Sequence, residues 1–171
     1  MNVLVTYFSQ SGNTEKIARA ICEEAGKAHE ADLVKLEELT PEAAAGYDCI
    51  FLGSPLHSGS LAAPVKECLK VLKERSGQKL AGFITHMAPA YPEQDMDAFA
   101  APMKEACGEK QIQYAGCFDC QGVLAEAMHG PVQKKLNMDD AQWADMVNQM
   151  TGRPNREDLD NARAFANAVL G

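Results

Sequence analysis

Between a strand-like run and a helix-like run near the start of the chain lies "SQSGNT", Ser9 to Thr14. Each of these six residues is small or polar, and none carries charge. A helix that begins near Gly12 leaves its first amide N–H groups without intrahelical partners, and its dipole favours negative charge there. Gly12 lets the backbone approach a ligand closely. Ser9, Ser11, Asn13 and Thr14 add short side-chain donors. Such a loop can cradle a phosphate with no basic side chain.

The same letters exclude related chemistries. A Walker loop requires Gly-Lys-Ser/Thr, but Asn13 follows Gly12. A dinucleotide fingerprint requires three glycines, and the loop has one. A cysteine phosphatase would need its nucleophile inside the loop, and residues 9–14 contain no cysteine. A polar turn with an ordinary helix cap remains the plain alternative.

Histidine and cysteine are the other residues that invite a chemical reading. His57 and His86 stand where strand-like runs give out, and a histidine titrates near neutrality. His129 lies in an irregular stretch and is read as inert. Cys117-x-x-Cys120 invites a redox or zinc reading, but zinc needs further ligands and no second such pair exists. No metal site is expected. The six cysteines, at 22, 49, 68, 107, 117 and 120, are read as buried free thiols packed as small hydrophobes.

These residues need a scaffold, and the hydrophobic pattern predicts one. Val3–Phe8 is a continuous apolar run that suits a strand covered on both faces; Tyr47–Pro55 reads as another buried strand, Asp32–Leu36 as a short strand candidate, and Lys79–Met87 and Ile112–Cys120 as the fourth and fifth strands. Between them, apolar residues recur at helical spacing: Ile17, Ala18, Ile21, Cys22 and Ala25; Leu61, Val65, Cys68, Leu69 and Leu72; Met96, Phe99, Ala100, Met103 and Cys107. A last helix is predicted from about Glu157 to Val169. Alternating strands and helices give parallel strands with helices on both faces. In such open sheets, ligands bind beyond the carboxyl ends of the strands. Residues 122–154 break the rhythm. Trp143, Met146, Val147 and Met150 predict one small extra helix on that excursion, within a single domain spanning 1–171.

Composition narrows the function classes. Of 171 residues, 46% are hydrophobic and 23% charged, an ordinary globular balance. The formal net charge of −8 argues against nucleic acid and anionic membranes as partners. The N-terminal "NVLVTYF" lacks a signal-peptide pattern, and no run reaches the roughly 20 apolar residues of a membrane helix. A cytoplasmic location is expected.

With these residues in view, "TYFSQSGNTEKIARAI" resembles the opening of the flavodoxin-like FMN proteins, whose first loop holds the FMN phosphate. "GSPLHSGSLAAPVKECL" resembles their second flavin loop, and "FDCQG" near Asp119 a segment at their fifth strand. The resemblance implies an α/β three-layer sandwich with a five-stranded parallel sheet in the order 2-1-3-4-5. It implies that Ser9, Ser11, Gly12, Asn13 and Thr14 hold the phosphate. Pro55, Leu56, His57, Ser58 and Gly59 would pass beside the isoalloxazine, with the Ser58–Gly59 peptide able to turn toward flavin N5. A third loop, His86 to Gln94, would flank the other edge of the flavin, with His86 in contact and Tyr91 as a stacking partner. FMN would carry the redox chemistry, so no catalytic side chain is assigned; His57 is the candidate proton relay. The chain departs from the family at His57 and Ser58, which stand where aromatic residues are common, and at Ser60, where an aspartate is common. Glu93, Asp95 and Asp97 are candidates to supply part of the missing negative field.

The implied function is electron transfer between redox protein partners. An FMN-dependent NAD(P)H oxidoreductase acting on a quinone or similar acceptor is the alternative, and a flavin-free binding module on the same fold is a third. The oligomeric state stays open.

Overall fold

The computed structural model describes residues 1–73, 75–87 and 96–171. In chain order it contains β1 (Asn2–Tyr7), α1 (Asn13–Ala25), β2 (Glu30–Lys35), α2 (Pro41–Ala44), β3 (Cys49–His57) and β4 (Ser60–Leu61). There follow α3 (Ala63–Val71), β5 (Lys79–His86), α4 (Met96–Glu109), β6 (Gln113–Gln121), α5 (His129–Leu136), α6 (Asp140–Met150) and α7 (Arg156–Leu170). Five strands pair in parallel in the order β2-β1-β3-β5-β6. This is the predicted order 2-1-3-4-5, with the two-residue β4 inserted in the numbering as an antiparallel partner of β3.

Strand alternation sorts the core into two layers. Val3, Val5, Tyr7, Cys49, Phe51, Ala81 and Phe83 face α1 and α7, where Ile17, Ile21, Ala162 and Ala166 are fully buried. Leu4, Ile50, Leu52, Leu80 and Ile84 face α3 and α4, against Val65, Leu69 and Met103. Strands buried on both faces need continuous apolar runs, which is why those runs were legible. Gly53 is required by this packing: a methyl there would meet the Phe83 ring at 2.2 Å.

Residues 122–154 carry two helices, α5 and α6, where the pattern predicted one. The physical reason is that α5 buries no residue fully, so it displays no apolar stripe. The α6 helix does, through Trp143, Met146 and Met150, and a reciprocal capping box between Asp139 and Gln142 starts it. These three side chains form a third, separate core with Met87, Leu124, Val132, Leu136, Met138 and Val147 packed around it. Among the described residues, no helix is long and apolar enough to cross a membrane.

Candidate functional site

At the carboxyl end of β1 the chain makes the six-residue loop and enters α1 through Gly12, whose φ is +85°. That left-handed conformation is one L side chains adopt only at a cost. A Cβ built on Gly12 has no heavy atom within 4 Å, so the glycine faces open space. The Gly12 N–H donates to Ser9 Oγ at 3.1 Å, which closes the loop on itself. Among the described residues, the N–H groups of Ser11, Asn13, Thr14 and Glu15 find no acceptor. These are the donors that a helix start offers to an anion.

The last two side chains of the loop do structural work. Asn13 is buried, and its amide nitrogen donates to Ser11 Oγ at 3.0 Å and to the Val123 carbonyl at 2.7 Å. Thr14 is buried, with its hydroxyl 2.8 Å from the Thr85 hydroxyl on β5. Asn13 therefore ties the loop to the chain leaving β6, and Thr14 ties α1 to the sheet. Gly122 makes room for the first tie, since a methyl there would come within 2.7 Å of the Asn13 amide.

The second loop is a tight hairpin. β3 ends at His57 and β4 begins at Ser60, with Leu56 opposite Leu61 and His57 opposite Ser60. The two turn residues, Ser58 and Gly59, have φ of +51° and +76°. Positive φ at both central positions matches the twist of a two-residue hairpin, and Ser58 holds this conformation against its side chain's preference. Two lysines flank the hairpin: Lys135 on α5 donates to Ser58 Oγ and Lys66 on α3 to Ser60 Oγ, each at 3.2 Å. The place where the resemblance led one to look for an aspartate is bordered by ammonium groups. His57 meets Phe8 edge-on, with ring centroids 6.3 Å apart.

His86 ends β5. Its Nε2 lies 2.9 Å from Asp119 Oδ2 on β6, so a carboxylate there makes Nε2 the donor. Nδ1 is buried and without a hydrogen-bond partner. Asn13 Oδ1 is in the same position. Gln121 and Gly122 secure the neighbouring backbone, donating to the Met87 carbonyl at 3.0 Å and the His86 carbonyl at 2.8 Å. Tyr91, Glu93 and Asp95 lie outside the described residues, as does the rest of the third loop beyond Met87. Asp97 sits in the first turn of α4.

These elements enclose a cleft of about 480 Å³, inside the range of roughly 300–1,000 Å³ usual for small-molecule sites. Of the predicted residues, Ser11, Asn13, Thr14, Pro55, Leu56, His57, Ser58 and His86 line it. Ser9 and Gly12 shape the loop behind it, and Gly59 is at the hairpin tip. The cleft also takes Gln10, Thr85, Met87 and, from the excursion, Gly122, Val123, Leu124, Ala125, Met128 and Val132. The sequence reading assigned none of the excursion residues. A signal was available, because Gly122 and Val123 directly follow the carboxyl end of β6, the edge of the sheet where ligands bind. A smaller apolar groove between α2 and α3, about 210 Å³, lies away from all three loops.

The two cysteines of the pair are free and lie on different faces of the sheet. Cys117 packs in the core layer under α3 and α4, while Cys120 packs in the layer under α1 and α7, so the sheet separates the two sulfurs. Burial pushes the Cys117 thiol up to about 12 and the Cys120 thiol higher still. Both are free thiols, as are the other four cysteines.

Comparison with known proteins agrees with this architecture. The chain is 28% identical to the flavodoxin-like domain-containing protein BilS of Clostridioides difficile (strain CD3), an alignment covering 99% of this chain and 97% of that protein. Oxidised flavodoxin 2 from Bacillus cereus shares the fold with a TM-score of 0.70 at 23% identity, over 99% of this chain and 98% of that one. Oxidised flavodoxin 1 from the same organism aligns with a TM-score of 0.69 at 18% identity, over 99% and 97% of the two chains. The model of the flavodoxin domain matches residues 4–167, and the chain belongs to the flavodoxin family of FMN-binding electron-transfer proteins.

Proposed function

We propose that the chain holds FMN by its phosphate on residues Ser9 to Thr14 and passes electrons between redox partner proteins. The observation that carries this reading is the first loop. Its free N–H groups, serine hydroxyls and open space at Gly12 suit a phosphate bound by neutral donors. Pro55 to Gly59 and His86, with Tyr91 on the strength of the resemblance, complete the proposed binding set. FMN, when bound, supplies the redox chemistry. The residues of the chain bind it, orient it and set the field around it. Thr14 and Asn13 belong to the proposed site as the residues that hold the loop in shape. Asp119 orients the His86 imidazole beside the cleft, and the net charge of −8 favours docking of cationic partners.

A second reading, an FMN-dependent NAD(P)H oxidoreductase with a quinone or similar acceptor, is supported by one observation. The excursion contributes Val123, Leu124, Ala125, Met128 and Val132 to the lining of the cleft, surface over which a second substrate could be held. Two measurements separate these readings. Fluorimetric titration with FMN is expected to give stoichiometric binding and a yellow protein; a colourless protein that refuses FMN would return the flavin-free module. Anaerobic mixing of the yellow protein with NADH or NADPH is expected to leave its colour unchanged, and rapid bleaching would favour the oxidoreductase.

A further inference from the structure

We propose that the segment following β6 forms one side of the flavin pocket, with Leu124, Met128 and Val132 as the apolar face against which the isoalloxazine lies. This rests on the FMN reading above and adds residues that no motif of the sequence assigns.

The three side chains share a cleft with the first and second loops. They carry no hydrogen-bonding side-chain group to hold a phosphate, so the part of a ligand they suit is flat and apolar. Met128 is 47% exposed and Val123 37%, which places two of the four exposed large hydrophobic residues among those described on this wall. Pro55, Leu56 and His57 of the second loop line the same cleft. A thioether beside an aromatic ring is a favourable contact, and a methionine adapts to the ring's outline.

The wall is also held in place. At its base, Val123 accepts from Asn13 of the phosphate loop and Gly122 donates to the end of β5. At its far end, Lys135 reaches the hairpin at Ser58. Behind it, Leu124 and Val132 pack on the core of Trp143, Met146 and Met150. One face is supported by packing while the other is open to the cleft, as a binding surface requires.

The test uses the full chain with FMN and riboflavin, which has the same ring and no phosphate. Met128 is exposed, so Met128→Asp and Met128→Trp leave the cores intact. Met128→Asp is expected to weaken FMN and riboflavin by the same factor, about ten-fold or more. Met128→Trp is expected to quench the fluorescence of the bound flavin relative to the wild-type complex, because an indole against the ring is an efficient quencher. Wild-type affinities in Met128→Asp, or unchanged flavin fluorescence in Met128→Trp, would overturn the assignment of the wall. Gly12→Asp serves as the control, expected to lose FMN and keep riboflavin. A wild-type protein that binds neither flavin overturns the FMN reading itself, an outcome distinct from failure of the wall.

Discussion

Gly12 offers a perturbation whose two effects can be worked out separately. Its φ is +85°, and nothing lies within 4 Å of an added Cβ. Gly12→Ala therefore costs backbone strain and no packing, about 1–2 kcal/mol for an L residue in the left-handed region. For a chain of 171 residues each kcal/mol moves the melting temperature by about 2–4 °C, so a fall of about 2–8 °C is expected. Gly12→Asn recovers part of that loss, since asparagine tolerates this conformation better. Both side chains project into the open space at the start of α1, beside the free N–H groups, so both are expected to weaken FMN by about ten-fold or more, equivalent to about 1.4 kcal/mol. Riboflavin affinity is expected to change little. The assay pairs thermal melts of the apoprotein with fluorimetric titration of each flavin. If Gly12→Asn restores FMN affinity along with stability, strain alone explains the loss and the cradle is misplaced. Equal loss of riboflavin and FMN would refute the reasoning as well.

Further predictions follow from other contacts. Lys66→Gln and Lys135→Gln remove the cations flanking the hairpin, which favour a negatively charged reduced flavin. Potentiometric titration is expected to show a lower midpoint in each variant, with the difference shrinking as salt rises. Gly122→Ala drives a methyl into the Asn13 amide, an overpacking that costs about 1–3 kcal/mol. Faster amide exchange in residues 9–14, with weaker FMN binding, is the expected signature. Burial holds the Cys49, Cys68 and Cys107 thiols up at about 11 and Cys117 at about 12, against an ordinary 9.0. The folded chain keeps protons that the unfolded chain releases, and stability is therefore lost as pH rises from about 9 toward 12. Chemical denaturation across that range is expected to show a falling midpoint, and replacement of the buried cysteines by alanine should flatten the fall.

What could be read from the letters depended on how strongly packing constrains them. The Val3–Phe8 and Cys49–Leu52 runs announce strands because both faces of the sheet are covered. The first loop was legible because few residue types permit an exposed helix start at +85°. By contrast α5, His129–Leu136, buries nothing completely. Its contribution comes from Val132 and Leu136 leaning on a core made by another helix, and no local period encodes that. The hairpin at Ser58–Gly59 was also hidden, because serine is not a usual residue at a left-handed turn position. The Cys117–Cys120 spacing looked like a pair only in one dimension; three steps along a strand put the sulfurs on opposite sides of the sheet.

The bond between Asn13 and the Val123 carbonyl spans 110 residues of sequence. It sets an order on biosynthesis. A ribosome that has finished β1 and α1 has released every letter of "SQSGNT", yet the partner that fixes Asn13 is not made until β6 has been completed. The docking of α7 over α1 comes later again. A product truncated before β6 carries the anion loop closed by Ser9 and tied through Thr14, but without the bond that anchors Asn13.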